Sequence, residues 1–301
     1  MAALAWLWLF LFLVTPCHAF ESHEDSLFFP PEIQHSWAAY TPYFPVEPYP
    51  SPPSHCTITQ VDILQRHGAR FPTSGATTQI KAALEKLQSA TIFLDPKLSF
   101  LRNYTYALGT NDLIPFGAMQ SNTAGKEAFR RYSALISGDA LPFVRASSSS
   151  RVVDSANNWT AGLSMASNHR FNPVLSVVLQ ENLNDTLDDS MCPNAGSSDA
   201  QTSIWTSIYG PPIAARLNAQ APSANLTAPD ISNLIPQCAF DTLFKEAPSP
   251  FCDLFTREEF AQFEYFGDLD KFYGTGSGQP LGRVQGVGYV NELLARLTAT
   301  A

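Results

Sequence analysis

The sequence predicts an α/β fold that gives way to helix late in the chain. Runs rich in β-branched residues alternate with helically spaced apolar residues up to Gln180, strand signals then stop, and only helical spacing recurs beyond residue 200. A composition of 45% hydrophobic and 15% charged residues, with 23 prolines and five cysteines in 301 residues, supports a buried core. It excludes a disordered tail, a collagen-like repeat and a small disulfide-stapled peptide.

The first twenty residues carry no charge, and Ala3–Val14 is one apolar run followed by Thr15-Pro16-Cys17-His18-Ala19. Small side chains around the last bond mark residues 1–19 as a signal peptide, although the usual basic start is missing. The run is shorter than the roughly 20 residues of a membrane-spanning helix, so no membrane association is expected after cleavage. Residues 20–55 hold eight prolines from Pro30 to Pro53, interleaved with Trp37, Tyr40, Tyr43, Phe44 and Tyr49. Prolines oppose regular helix and aromatics favour burial, so an extended arm lying against the body is expected. A proline-rich ligand for a partner is the alternative.

Thr57–Gln65 reads as a buried strand. Residues 78–88 place Ile80, Ala83, Leu84 and Leu87 at helical spacing, which completes a strand, loop and helix. Thr123–Ile136 reads as a helix, Leu141–Ala146 as a short strand, Arg151–Ala166 as a helix and Val174–Gln180 as a third strand. Helices follow near 203–218, 256–272 and 285–297. The organisation read from this is a first α/β part over 56–181 and a mainly helical part over 182–301.

The net charge of −9 excludes the basic footprint of a nucleic-acid binder. An acidic chain binds an anion only where its few arginines converge on one cleft. Four sequons, at Asn103, Asn158, Asn184 and Asn225, agree with export. Beyond the signal the cysteines are Cys56, Cys192, Cys238 and Cys252, for which three pairings are formally open. Cys238 and Cys252 enclose a short loop, and closing it stabilises by about 3 kcal/mol in the chain-entropy model. Metal binding is the alternative, but Cys-x-x-Cys and Cys-x-x-His spacings are absent.

Arg66-His67-Gly68-Ala69-Arg70-Phe71-Pro72-Thr73 lies between the first strand and its helix, where α/β folds bind ligands. Phosphoryl transfer needs positive charge spread around the phosphoryl oxygens and a nucleophile aimed at phosphorus. Two arginines flanking a histidine offer both, because guanidinium groups make paired hydrogen bonds to phosphate. Gly68 lets the backbone approach the ligand, and a neutral His67 imidazole would attack to form a phosphohistidine. A solvated loop histidine is the plain alternative. Ser147–Ser150, ahead of a helix, is read as capping and loop.

Arg-His-Gly-x-Arg-x-Pro after a strand resembles the signature of the histidine acid phosphatases, and RHGARFPT looks like their phytase branch. The likeness covers nearly the whole mature chain. It includes YTPYFPVEPYPSPPSHCTITQVDILQRHGARFPTSG, PFVRASSSSRVVDSANNWTAGL, SPFCDLFT and LDKFYGTGSGQPLGRVQGVGYVNELLARLT, which are similar to basidiomycete phytases. The resemblance implies a phosphoglycerate-mutase-like histidine phosphatase fold, with an α/β domain plus an all-α domain and the site in the cleft between them. It implies hydrolysis of inositol hexakisphosphate, a small-molecule substrate, at acidic pH by a secreted monomer without metal or cofactor. By motif, His67 is the nucleophile, Arg66 and Arg70 grip the phosphate, and Arg145, Thr73 and Lys271 are substrate-binding.

Two departures qualify this reading. Ala76-Thr77-Thr78-Gln79 is neutral where many ascomycete relatives carry lysines, which leaves open the phosphate removed first. The family's leaving-group acid is a His-Asp pair downstream of GVGYVNELLARL, and no His-Asp dipeptide occurs in this sequence. The remaining histidines of the mature chain are His23, His35, His55 and His169, and His23, in the arm, is a poor acid. In relatives the counterparts of Cys56 and Cys192 pair with cysteines in that downstream region, so an α/β core incomplete at the C-terminus is expected, with Cys238–Cys252 its one complete bridge. The alternatives to a phytase are an inositol-phosphate-binding glycoprotein with impaired catalysis and a phosphotransferase of the mutase type, which fits secretion poorly. Loss of a general acid costs about 10²- to 10⁴-fold. Phytate hydrolysis by this chain is therefore expected to be slower by that order than in a relative with the pair, and aryl phosphates with good leaving groups to lose less. Equal losses on both substrates in parallel rate assays would contradict this.

Overall fold

The computed structural model describes residues 29–183, 185–188 and 192–300. The expected signal peptide 1–19, the start of the arm with His23, and Asn184 lie outside the described residues. In chain order the helices are α1 (Pro31–Gln34), α2 (Ser74–Gln88), α3 (Pro115–Tyr132), α4 (Ser150–Ala166) and α5 (Asp199–Gln220). They continue with α6 (Ala228–Lys245), α7 (Arg257–Gly274), α8 (Gly282–Gln285) and α9 (Val287–Thr298). The strands β1 (Val144–Ser147) and β2 (Leu175–Leu179) pair in parallel, with Arg145 opposite Val177 and Ser147 opposite Leu179. Helix α4 is the crossover between them, so β1–α4–β2 is the βαβ unit that the alternating pattern announces.

Helices α3 and α4 pack at backbone contact. A Cβ on Gly125 of α3 would lie 2.0 Å from the Trp159 carbonyl oxygen, and one on Gly162 of α4 would lie 1.9 Å from that of Asn122. The second packing centre is helical. Ile80, Leu84 and Leu87 of α2, Ile213 and Leu217 of α5, Ile231, Leu234 and Ile235 of α6 and Phe260 and Phe263 of α7 form one buried cluster. Thus α2, which precedes the βαβ unit, shares its core with the later helices. The capping residues of two helices also join helices to one another. Thr227 and Asp230 form a capping box on α6, and Lys86 of α2 donates to both Asp230 carboxylate oxygens at 2.9 and 2.8 Å. Thr256 and Glu259 do the same for α7, and Arg216 of α5 grips Glu259. A disulfide links Cys238 of α6 to Cys252, while Cys56 and Cys192 are free thiols.

Three expectations change. Thr57–Gln65 is not a buried strand: it is outside any strand, and Ile63 and Leu64 are 50% and 66% exposed. Its β-branched composition is suitable, but a strand also needs a neighbour's ladder, and among the described residues none pairs with it. Helix α6 is absent from the periodicity reading: it carries Pro236 in its interior and buries the polar Asp230, Gln237, Asp241 and Thr242 beside its apolar residues, so burial does not follow hydrophobicity around it. The arm is helical over residues 31–40 despite its prolines, because Pro31 sits in the first turn, where no amide donor is needed. Of the arm's aromatics, Trp37 is 1% exposed whereas Tyr43 faces solvent. No helix of the described residues is long and apolar enough to cross a membrane.

The glycine contacts give a direct test. Gly162→Ala must part α3 from α4 or distort α4, and overpacking of this kind costs about 1–3 kcal/mol. Urea denaturation is expected to show that loss. A change under about 0.5 kcal/mol, the scale of a neutral surface substitution, would show that the helices separate freely.

Candidate functional site

The segment from Arg66 to Pro72 is held through its backbone. The Gly68 amide donates to Ser155 Oγ of α4 at 3.0 Å, and the Ala69 amide to Gln120 Oε1 of α3 at 2.8 Å. The Ile114 amide donates to the Ala69 carbonyl, and the Phe71 amide to that of Asp112. Behind the loop, Gly68 meets Gly117 of α3 so closely that a Cβ at Gly68 would lie 2.1 Å from the Gly117 carbonyl oxygen. Every one of these contacts fixes main chain, and the side chain of Arg70 adds a hydrogen bond to the Phe71 carbonyl at 2.8 Å.

His67 Nδ1 lies 2.7 Å from the Gly68 carbonyl oxygen. A carbonyl only accepts, so Nδ1 carries the proton and donates, and the Nε2 lone pair remains free. Burial pushes the imidazole pKa down to about 4, opposed by the Gly68 hydrogen bond and reinforced by the charges of Arg66, Arg70 and Arg151. His67 is therefore neutral, and nucleophilic at Nε2, down to unusually acid pH.

Arg151 is the residue that sequence reasoning missed. It lies in the first turn of α4, one turn before Ser155, whose hydroxyl meets Gly68. Its charge acts on His67, Arg66 and Arg70 alike. The i, i+4 spacing of Arg151 and Ser155 puts both on one helix face, the signal that could have found it. The Nε atoms of Arg70 and Arg151 are buried without a hydrogen-bond partner. Buried donors on charged groups are costly to leave unpaired, and their convergence on a nucleophile suits an anion with several acceptor oxygens.

The other proposed substrate-binding residues lie in different settings. Arg145 sits inside β1, and its guanidinium is held by Glu292 of α9 at 2.7 Å and by Thr186 at 3.4 Å. These contacts tie α9 and Thr186 to the strand. Thr73 caps α2, accepting from the Ala76 amide at 3.3 Å. Lys271 of α7 is exposed and lies 3.4 Å from Asp270. Among the sequon asparagines, Asn103 and Asn225 are exposed, whereas Asn158 is half-buried on α4 and donates to the Asp154 carbonyl. Among the described residues no group of three or more His, Cys, Asp or Glu side chains could hold a metal ion.

The family model of the histidine phosphatase superfamily (branch 2) matches residues 57–301. Phytase A of Aspergillus terreus is 41% identical over 288 residues, spanning 89% of this chain and 62% of that protein. Phytase A of Aspergillus fumigatus is 37% identical over 287 residues, with the same two shares. The chain thus spans less than two thirds of these relatives. The crystal structure of the phytase from D. castellii superposes with a TM-score of 0.76 at 28% identity, covering 88% of this chain and 62% of that one. A multiple inositol polyphosphate phosphatase of Bifidobacterium longum, solved with inositol hexasulfate, shares the fold at a TM-score of 0.56 and 15% identity, over 88% of this chain and 75% of that one.

The electrostatics predict an NMR titration. In phosphate-free buffer the His67 imidazole is expected to protonate near pH 4. Arg151→Gln removes a positive charge that disfavours the imidazolium, so the midpoint moves up towards the ordinary histidine value, and added inorganic phosphate moves it up in the unsubstituted protein. A midpoint indifferent to Arg151→Gln would remove Arg151 from the site.

Proposed function

Because the chain belongs to branch 2 of the histidine phosphatase superfamily, we propose that it is an acid phosphatase of the phytase type, acting on phosphomonoesters of inositol hexakisphosphate. The observation that carries the reading is a neutral His67 with a free Nε2, surrounded by the cationic Arg66, Arg70 and Arg151. The guanidinium groups take the phosphoryl oxygens, and Nε2 attacks phosphorus in line with the ester oxygen. As the N–P bond forms, the P–O ester bond breaks and its electron pair leaves on the inositol oxygen, which takes a proton from solvent. Water then attacks phosphorus and gives a proton back to solvent, the N–P pair returns to Nε2, and phosphate departs. Throughout, Nδ1–H remains on the Gly68 carbonyl, whose partial negative charge stabilises the cationic phosphoimidazole.

Export to an oxidising compartment is part of the same proposal. It is supported by the apolar start, the exposed sequons at Asn103 and Asn225, and the Cys238–Cys252 bridge. A second reading is favoured by one observation: the charged side chains acting on His67 are all cationic, and none is an acid poised to protonate the leaving oxygen. On that reading the chain binds inositol phosphates and turns them over slowly.

Alkaline quenching during reaction with an aryl phosphate or phytate, which preserves the acid-labile N–P bond, followed by peptide mass spectrometry at neutral to alkaline pH, tests both. Phosphate is expected on His67 and absent from His67→Asn. Arg151→Ala is expected to lower kcat/KM by about 10²- to 10³-fold, the loss typical of one donor to the transferring group. Continuous phosphate release from phytate supports the phytase reading, a single stoichiometric phosphorylation supports the second, and phosphate on another residue defeats both.

A further inference from the structure

The arm reaches the phosphate-gripping loop through a kink at one residue. Within the helical segment His35–Tyr40, Ala38 has φ 53° and ψ −130°, a left-handed conformation that costs any residue with a side chain. Such a conformation persists only where its surroundings hold it, and both flanks of Ala38 are held. Trp37 is buried, Ser36 Oγ donates to Glu264 of α7 at 3.0 Å, and the Tyr40 ring packs on Phe240 of α6 at 4.5 Å. The kink itself rests on α7: a Cβ added to Gly267 would lie 2.6 Å from the Ala38 methyl, so that helix offers a bare backbone where the methyl seats. Glu264 and Gly267 are three residues apart and share a face of α7. The next carbonyl, that of Ala39, accepts from Arg66 Nη1 at 2.6 Å.

We infer that the seat of Ala38 on Gly267 is a positioning device for Arg66: it aims the Ala39 carbonyl at the guanidinium and so fixes one arm of the phosphate grip from the helical part of the chain. The inference rests on the phosphate-binding reading above. Arg66 is otherwise a long side chain with little to hold it. A backbone carbonyl is a suitable anchor because it accepts one N–H without supplying a negative charge that would compete with phosphate. The remaining donors of the planar fork are then presented in one orientation, which lowers the ordering cost of binding. Burial raises the Tyr40 hydroxyl pKa, and the Arg66 and Arg70 charges act on it, which sets the kinked segment beside the same cluster.

Inorganic phosphate binding, followed by calorimetry on the full chain, tests this without turnover. Gly267→Ala, which unseats the kink, is expected to weaken phosphate binding about fivefold, the scale of one net hydrogen bond. The same substitution in an Arg66→Ala background is expected to add nothing, since the device acts only through Arg66. The pair Gly267→Ala with Ala38→Gly moves the single methyl to the other partner and is expected to restore both folding and affinity. That pair keeps the test decisive if Gly267→Ala alone does not fold. Equal losses in both backgrounds, or unchanged affinity in Gly267→Ala while Arg66→Ala binds weakly, would overturn the device and leave the phosphate-binding reading standing. Undiminished binding by Arg66→Ala, or none by the unsubstituted chain, would defeat that reading and the device together.

Discussion

The contact between Gly68 and Gly117 is the constraint on which the site depends. Backbone meets backbone there, with no room for a Cβ on either side. Gly117 lies in the first turn of α3, and α3 is itself pressed against α4 through Gly125 and Gly162. The loop carrying His67, the helix carrying Gln120 and the helix carrying Arg151 and Ser155 therefore form one closely packed unit. Movement of any member disturbs the others, because close-packed backbones have no soft side chains to absorb the change. The chemistry needs this rigidity, since a nucleophile and three charged groups gain from convergence only if they need not reorganise during reaction.

Gathering cations around a histidine has an electrostatic cost that also serves the reaction. Burial and three guanidinium charges disfavour the imidazolium, which is why His67 stays neutral at acid pH. Burial is the larger cause, and the arginine charges add to it. The phosphate grip thus reinforces the availability of the nucleophile. The Gly68 carbonyl opposes the shift but selects the tautomer, so the one hydrogen bond of His67 decides which nitrogen reacts.

The helical part of the chain contributes more than bulk. Helix α2, which leaves directly from the loop, is fastened to α6 by Lys86 and Asp230, and α5 to α7 by Arg216 and Glu259. Both acidic partners also cap a helix, so each carboxylate satisfies backbone donors and an inter-helix cation together. The arm then ties α7 and α6 back to Arg66. At the other end of the βαβ unit, Arg145 of β1 holds α9 through Glu292, which Arg296 also pairs within α9.

By itself the sequence determined the βαβ unit, most of the helices and the motif from Arg66 to Pro72, because these depend on local spacing and on residue chemistry that a short window contains. It also marked Cys238 and Cys252, whose short loop limits the alternatives. Its reading of Thr57–Gln65 as a strand had the right composition, but pairing depends on a neighbour distant in sequence. Helix α6 was hidden by an interior proline and by polar residues such as Gln237 and Asp241 on its buried side, whose partners only the fold supplies. Arg145 is marked by motif, whereas Arg151, six residues later, has no motif and shows itself only through its charge on His67. That charge reaches the loop because α4 packs against α3 and meets Gly68 through Ser155. The same holds for Ala38 and Gly267, an alanine and a glycine with no motif, which become partners only because the arm crosses α7.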